Sequence, residues 1–284
     1  MSFRFQHPTA EGLYNPRYES DACGVGFVAD IAGHRSHQIL ERAMEALTNL
    51  THRGAMDADA KSGDGAGVLT QIPHKLFRRE LEKMGYRLPR DTDLAVGMIF
   101  LPPRHDAMSV EDRIHWDRCG VIIEEVLNHY DLTFFGWRDV PIDPSVLGDK
   151  AAREMPDIKQ ILVGKPKDIK DGDEFERVLY LARKQIEKRV AKRGIKNFYI
   201  PSFSHRTIVY KGLFVAPQLK RFYKDLSDPS YETAFTIYHQ RYSTNTFPTW
   251  FLAHPFRMLA HNGEINTLQG NENWMKARER EMTS

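Results

Sequence analysis

Cysteine is scarce in this chain. Among 284 residues there are two, Cys23 and Cys119. Two thiolates cannot by themselves hold an iron–sulfur cluster or a four-thiolate zinc site, and they give no disulfide framework. Long apolar runs are missing as well. Mean hydropathy is −0.51, and no segment approaches the roughly 20 apolar residues of a membrane-spanning helix. The N-terminus lacks the apolar stretch of a secretory signal. Neither sign of charge dominates: 40 Lys and Arg stand against 38 Asp and Glu, for a net charge of +2. That balance removes the electrostatic case for nucleic acid or an anionic membrane as partner. Internal repeats, heptads and low-complexity tracts are absent. Together these features point to a cytoplasmic protein in a reducing setting.

What is present is enough for a sizeable core, with 41% hydrophobic and 27% charged residues. Residues 23–30, CGVGFVAD, read as a buried strand. Ser36 is placed to cap a helix through Leu50, whose stripe is Ile39, Leu40, Ala43, Met44 and Leu47. Residues 51–67 are rich in glycine and aspartate and read as loop. Further strands are expected at 66–72, 94–101, 132–137 and 158–164. Residues 198–203 and 207–209 resemble a hairpin, and 235–239 a strand. Met258 to Ala260 would lead, as another strand, into a second polar block. Helices are expected near 74–84, 109–130 and 175–190, with a last one starting at Thr267 or Asn271. Cys119 falls inside the second of these and reads as a small buried hydrophobe. Strands and helices cluster without strict alternation, which favours an α+β layered fold over a doubly wound sheet.

Cys23 follows 22 residues rich in polar and charged side chains, MSFRFQHPTAEGLYNPRYESDA. A lone cysteine near an N-terminus is usually structural. Two dense polar blocks far downstream change that weighting: His239-Gln240-Arg241-Tyr242-Ser243-Thr244-Asn245-Thr246 and His261-Asn262-Gly263-Glu264-Ile265-Asn266-Thr267. So many polar side chains are costly to bury without partners. They suit an open site, or else they cap turns. An N-terminal cysteine exposed by removal of residues 1–22 would carry its own base, the α-amino group.

Five blocks in this order resemble class II glutamine amidotransferases, which are N-terminal-nucleophile hydrolases: Cys23-Gly24-Val25-Gly26-Phe27, Thr51-His52-Arg53-Gly54-Ala55, Gly63-Asp64-Gly65-Ala66-Gly67, HQRYSTNT from His239 and HNGEINTLQGN from His261. The long stretch between Cys23 and Arg241 is similar to the amidotransferase domain of the glutamate synthase large subunit. The resemblance implies an αββα four-layer sandwich, with 1–22 as leader and 23–284 as the amidotransferase domain. It also implies roles. Cys23 would attack the side-chain amide of L-glutamine, and its α-amine, with a reference pKa near ~8, would move the proton. Arg241 would grip the α-carboxylate with its planar fork. The Asn262 side-chain amide and the Gly263 backbone N–H would form the oxyanion hole. Ser243 and Thr244 would line the substrate pocket or serve structure alone.

The resembled domain runs on beyond the point where this chain stops, into a Ser-Asp stretch whose aspartate holds the α-ammonium of glutamine. The resemblance therefore implies a fold that is incomplete here. It implies no cofactor in this chain, with FMN and an iron–sulfur cluster in the complete enzyme. Expected partners are the remaining glutamate synthase domains, or a chain carrying them, and an electron-donating small subunit. The competing reading is an inactive truncated remnant or assembly subunit. Other patterns carry less. Asp57-Ala58-Asp59-Ala60-Lys61-Ser62 starts like a calcium loop, but Lys61 stands at the fifth position and the sixth is not glycine. His34 and His37 lack a third metal ligand in the sequence pattern. Gly63–Gly67 precedes a strand and does not open a helix, which argues against phosphate binding.

Overall fold

A computed structural model describes residues 24–56, 59, 61–103, 110–240, 248–258 and 268–281. The described elements are β1 (Val25–Ala29), α1 (His37–Asn49), β2 (Ser62–Gln71), α2 (His74–Lys83), β3 (Leu94–Leu101), α3 (Val110–His129), β4 (Thr133–Asp139), α4 (Asp149–Arg153), β5 (Asp157–Gly164), α5 (Gly172–Lys192), β6 (Tyr199–Ser204), β7 (Thr207–Phe214), α6 (Ala216–Phe222), β8 (Phe235–Gln240) and α7 (Leu268–Arg278).

The strands form two four-stranded sheets, β1-β8-β2-β7 and β4-β5-β3-β6, with antiparallel pairing throughout. α1 lies against β1 and β8. α3 and α5 pack together and against β4 and β6. The sheets meet through β3, β6 and β7, which gives the helix–sheet–sheet–helix layering expected of the N-terminal-nucleophile fold.

The local reasons are visible in the residues. The expected stripe of α1, Ile39, Leu40, Ala43, Met44 and Leu47, is buried. α5 is capped by the Asp171 carboxylate, which accepts from the Asp173 N–H at 3.1 Å. Its Phe175, Leu179, Ala182, Ile186 and Val190 face the second sheet in a core shared with Ile123, Val126 and Leu127 of α3. β3 is buried at every position because it is the paired strand between β5 and β6 and is covered on both faces. Cys119 lies buried in α3, as expected. Burial pushes its thiol up to about 12.

Several expectations are corrected. Residues 62–65 belong to β2, which extends the strand expected from Ala66, and are not loop. The glycines from Gly63 to Gly67 reflect crowding between strands: a Cβ on Gly67 would stand 2.5 Å from the His254 carbonyl oxygen, and one on Gly63 would strike the Phe214 backbone. Two extra residues bulge between Ser62 and Ala66 against β7. The segments 198–203 and 207–209 are not a hairpin. β6 joins β3 while β7 joins β2, so the 204–207 turn crosses between sheets. Ser204 Oγ fixes that turn by accepting from the N–H groups of Arg206 and Thr207, at 2.9 and 3.1 Å. Ser36 does not cap α1 with its side chain; its backbone bridges Thr233. Met258 lies in a bend, and the rest of the strand expected at 258–260 lies outside the described residues.

A buried polar group joins the layers. Arg138 of β4 grips Asp225 through two 2.8 Å hydrogen bonds and also donates to Gln160 of β5 at 2.7 Å and Glu80 of α2 at 3.0 Å. Tyr210 of β7 donates to the same Asp225 carboxylate at 2.8 Å. One carboxylate therefore ties the two sheets together.

Candidate active site

The residues expected to do chemistry, Cys23, Arg241, Ser243, Thr244, Asn262 and Gly263, lie outside the described residues. Gly24, which follows Cys23, and Gln240, which precedes Arg241, are described, and they meet at one end of the first sheet. β1 starts there and β8 ends there. Val25 pairs with His239, and the Gln240 N–H donates to the Gly24 carbonyl at 2.7 Å.

Two further blocks reach the same end. α1 runs into a 3-10 turn at Thr51–Arg53 that delivers Gly54 beneath the Gln240 side chain. A Cβ on Gly54 would collide with Gln240 Nε2 and stand 3.4 Å from Asp64 Oδ1. Only glycine admits that approach. The Asp64 N–H donates to the Ala55 carbonyl at 3.1 Å, and Met56 bridges Gly63. Thus the Arg53-Gly54 turn is stitched to the Gly63–Gly67 bulge, and both abut Gln240. The Gln240 side chain is fully buried, and neither end of its amide has a hydrogen-bond partner among the described residues.

Residues 248–258 complete the cluster and lead in sequence to the second polar block. Trp250, buried, anchors this segment through an indole N–H bond of 3.0 Å to the Ala151 carbonyl. His254 stacks on His239 with ring centroids 4.4 Å apart. A Cβ on Gly65 would meet Ala253 at 3.2 Å, so the bulge glycine lets this segment sit close. Gly65 also holds φ of +126°. Its bend is therefore one that a side chain would strain.

Sequence reading passed over Lys211, His254 and Arg257. Lys211 is fully buried in β7, where burial, aided by the Arg257 charge, holds its ammonium pKa well below the usual lysine range. The clue was available: a lysine in the middle of the apolar run Thr207–Phe214 is out of keeping with its neighbours.

With this geometry in view, comparisons with known proteins give the family. A family model described as "Glutamine amidotransferases class-II" matches residues 23–284, and the chain belongs to that family. It is similar to the NADPH glutamate synthase large chain of Azospirillum brasilense, 50% identical over 96% of this chain and 18% of the relative. The corresponding large chain of Bacillus subtilis is 43% identical over 98% of this chain and 18% of the relative. Ferredoxin-dependent glutamate synthase 2 of Synechocystis is 47% identical over 93% of this chain and 16% of the relative. The chain thus spans less than a fifth of the length of these relatives. Among the described residues no helix is long and apolar enough to cross a membrane.

Proposed function

We propose that this chain hydrolyses L-glutamine to glutamate and ammonia as the amidotransferase part of a cytoplasmic glutamate synthase. The observation that carries the reading is the Gln240–Gly24 hydrogen bond. It sets the sequence neighbours of the nucleophile and of the carboxylate-binding arginine on adjacent strands, at the end where the Gly54 and Gly63–Gly67 blocks also arrive.

In this reading the Ala22–Cys23 bond is cleaved first, which frees the Cys23 α-amine. The amine takes the thiol proton as Sγ attacks the glutamine Cδ carbonyl, and the oxyanion is held by Asn262 Nδ2–H and the Gly263 N–H. Arg241 fixes the α-carboxylate. The proton passes to the leaving nitrogen, and the C–N bond breaks to give ammonia and a thioester. Water then attacks the thioester, releasing glutamate and the thiol. The ammonia would serve the remaining glutamate synthase domains, with an electron-donating small subunit as a further partner.

In this reading FMN and an iron–sulfur cluster would belong to those other parts of the complete enzyme. Of the two cysteines, Cys119 is enclosed in α3. Among the described residues, the Gly63–Gly67 run is packed against the Phe214 and His254 backbones.

The test compares the intact mass and ammonia release of the purified chain with those of a Cys23→Ala variant. Loss of residues 1–22 and glutamine-dependent ammonia release in the unmutated chain alone is the expected result. Equal ammonia release from the variant would remove Cys23 from the reaction.

A further inference from the structure

We propose that Lys211 is a positioning residue for glutamine hydrolysis: its buried amine latches residues 251–257 and so sets where the chain enters the Asn262-Gly263 block. The proposal rests on the oxyanion-hole reading given above.

Its basis is geometric. Val25, His239, Gly67 and Lys211 form one row across the first sheet. Side chains in such a row share a face. From that face the Lys211 ammonium reaches both ends of a short turn. Nζ donates to the Phe251 carbonyl at 2.8 Å and stands 4.5 Å from the centroid of the Phe256 ring. It also lies 4.8 Å from the Tyr199 ring of β6. The next residue after Phe256 supplies a second cation: Arg257 donates to the Ile200 carbonyl and places its guanidinium 5.5 Å from the same Tyr199 ring. Between these holds, His254 stacks on His239. The segment is therefore fastened to β6, β7 and β8 a few residues before Asn262.

Stability alone does not account for a lysine here. Its side chain is fully buried, its charged neighbour is the like-charged Arg257, and among the described residues no carboxylate pairs with it. A buried cation without a counter-charge is unfavourable compared with an apolar side chain of similar shape. One backbone hydrogen bond and two ring faces offset part of that cost. What the ammonium provides and a methionine cannot is directional attachment to Phe251 and Phe256 together. Displacing an oxyanion donor by about 1 Å lowers turnover on the order of a hundredfold, while binding contacts elsewhere are left intact.

The experiment uses the full chain carrying Lys211→Met, with Phe256→Leu as a second variant that keeps the ammonium–Phe251 bond and removes one ring. For Lys211→Met, kcat for glutamine should fall about 10- to 100-fold. KM should stay within about threefold, because ground-state contacts are kept. The denaturant midpoint should be equal or higher, and amide exchange over 251–257 should speed up. Phe256→Leu should shift kcat in the same direction by less. An unchanged kcat in both folded variants, or a fall in kcat that tracks lost stability, would overturn the proposal. So would unchanged exchange at 251–257. An unmutated chain that releases no ammonia from glutamine would instead sink the glutaminase reading and the catalytic consequence drawn from it. The exchange measurement would still decide the latch.

Discussion

The Gln240 amide nitrogen donates to the Gly24 carbonyl oxygen at 2.7 Å, across the boundary between β8 and β1. These residues lie far apart in sequence, yet each adjoins a residue to which the functional reading assigns chemistry. The bond is part of an antiparallel ladder running from Val25–His239 to Ala29–Phe235. A one-residue slip would turn every side chain of β1 to the other face, so the pairing defines which residues face one another at the site.

The Gln240 side chain is expected to cost stability. It is fully buried beside Gly54, and among the described residues both amide atoms are unpartnered. An unmet buried amide is worth about 1–3 kcal/mol. Gln240→Met, which keeps the shape and removes the polar atoms, should raise unfolding free energy by roughly 1 kcal/mol, measured by urea denaturation. A lower midpoint would show that the amide finds partners in solution.

Arg138 should behave in the opposite way. Its guanidinium is buried and serves Asp225, Gln160 and Glu80 at once. Arg138→Met strands the Asp225 carboxylate between the sheets, and such a loss typically costs about 3–5 kcal/mol. The double variant Arg138→Met with Asp225→Leu should recover part of that loss, because no buried charge is left uncompensated. Losses that simply add, with Asp225→Leu alone as the remaining corner of the denaturant cycle, would show that the pair is not coupled.

Acid sensitivity should trace in part to His74. Burial, reinforced by the Arg35 charge, lowers its pKa from 6.5 to about 4. Between those values the unfolded chain binds more protons at this position than the native chain. Stability therefore falls as pH drops from about 6.5 towards about 4, and is insensitive to this group above that window. His74→Gln should lose less stability than the unmutated protein between pH 7 and pH 4.5 in urea titrations. Parallel losses would assign the acid response to other groups.

Legibility from sequence varied with the kind of signal. α1 and α5 could be read because a 3.6-residue stripe survives in their sequences, and each stripe is buried in the fold. Residues 62–65 misled because the same glycines serve a loop or a strand crowded by neighbouring backbone, and the crowding comes from Phe214 and Ala253, far away in sequence. The pairing of β6 with β3 and of β7 with β2 was hidden because both strands are almost entirely buried. Where both faces are covered, alternation disappears and gives no register. α4 and α6 are too short to show a period.

By itself, then, the sequence determined which residues are candidates for chemistry: Cys23 behind the proposed leader, Arg241 for the proposed carboxylate contact and the Asn262-Gly263 pair, recognisable because residue type and order survive without coordinates. It also determined the α+β class through its local periodicities. Only the tertiary structure decided that the Gly54 turn, the Gly63–Gly67 bulge, Gln240 and the 248–258 segment meet at the end of β1. It alone showed Lys211 to be buried with its amine against the Phe251 carbonyl and the Phe256 ring. The reason is physical. Local patterns report which residues avoid water, while register, close approach and the burial of a charge depend on strands that are distant in sequence and adjacent only once the sheets have formed.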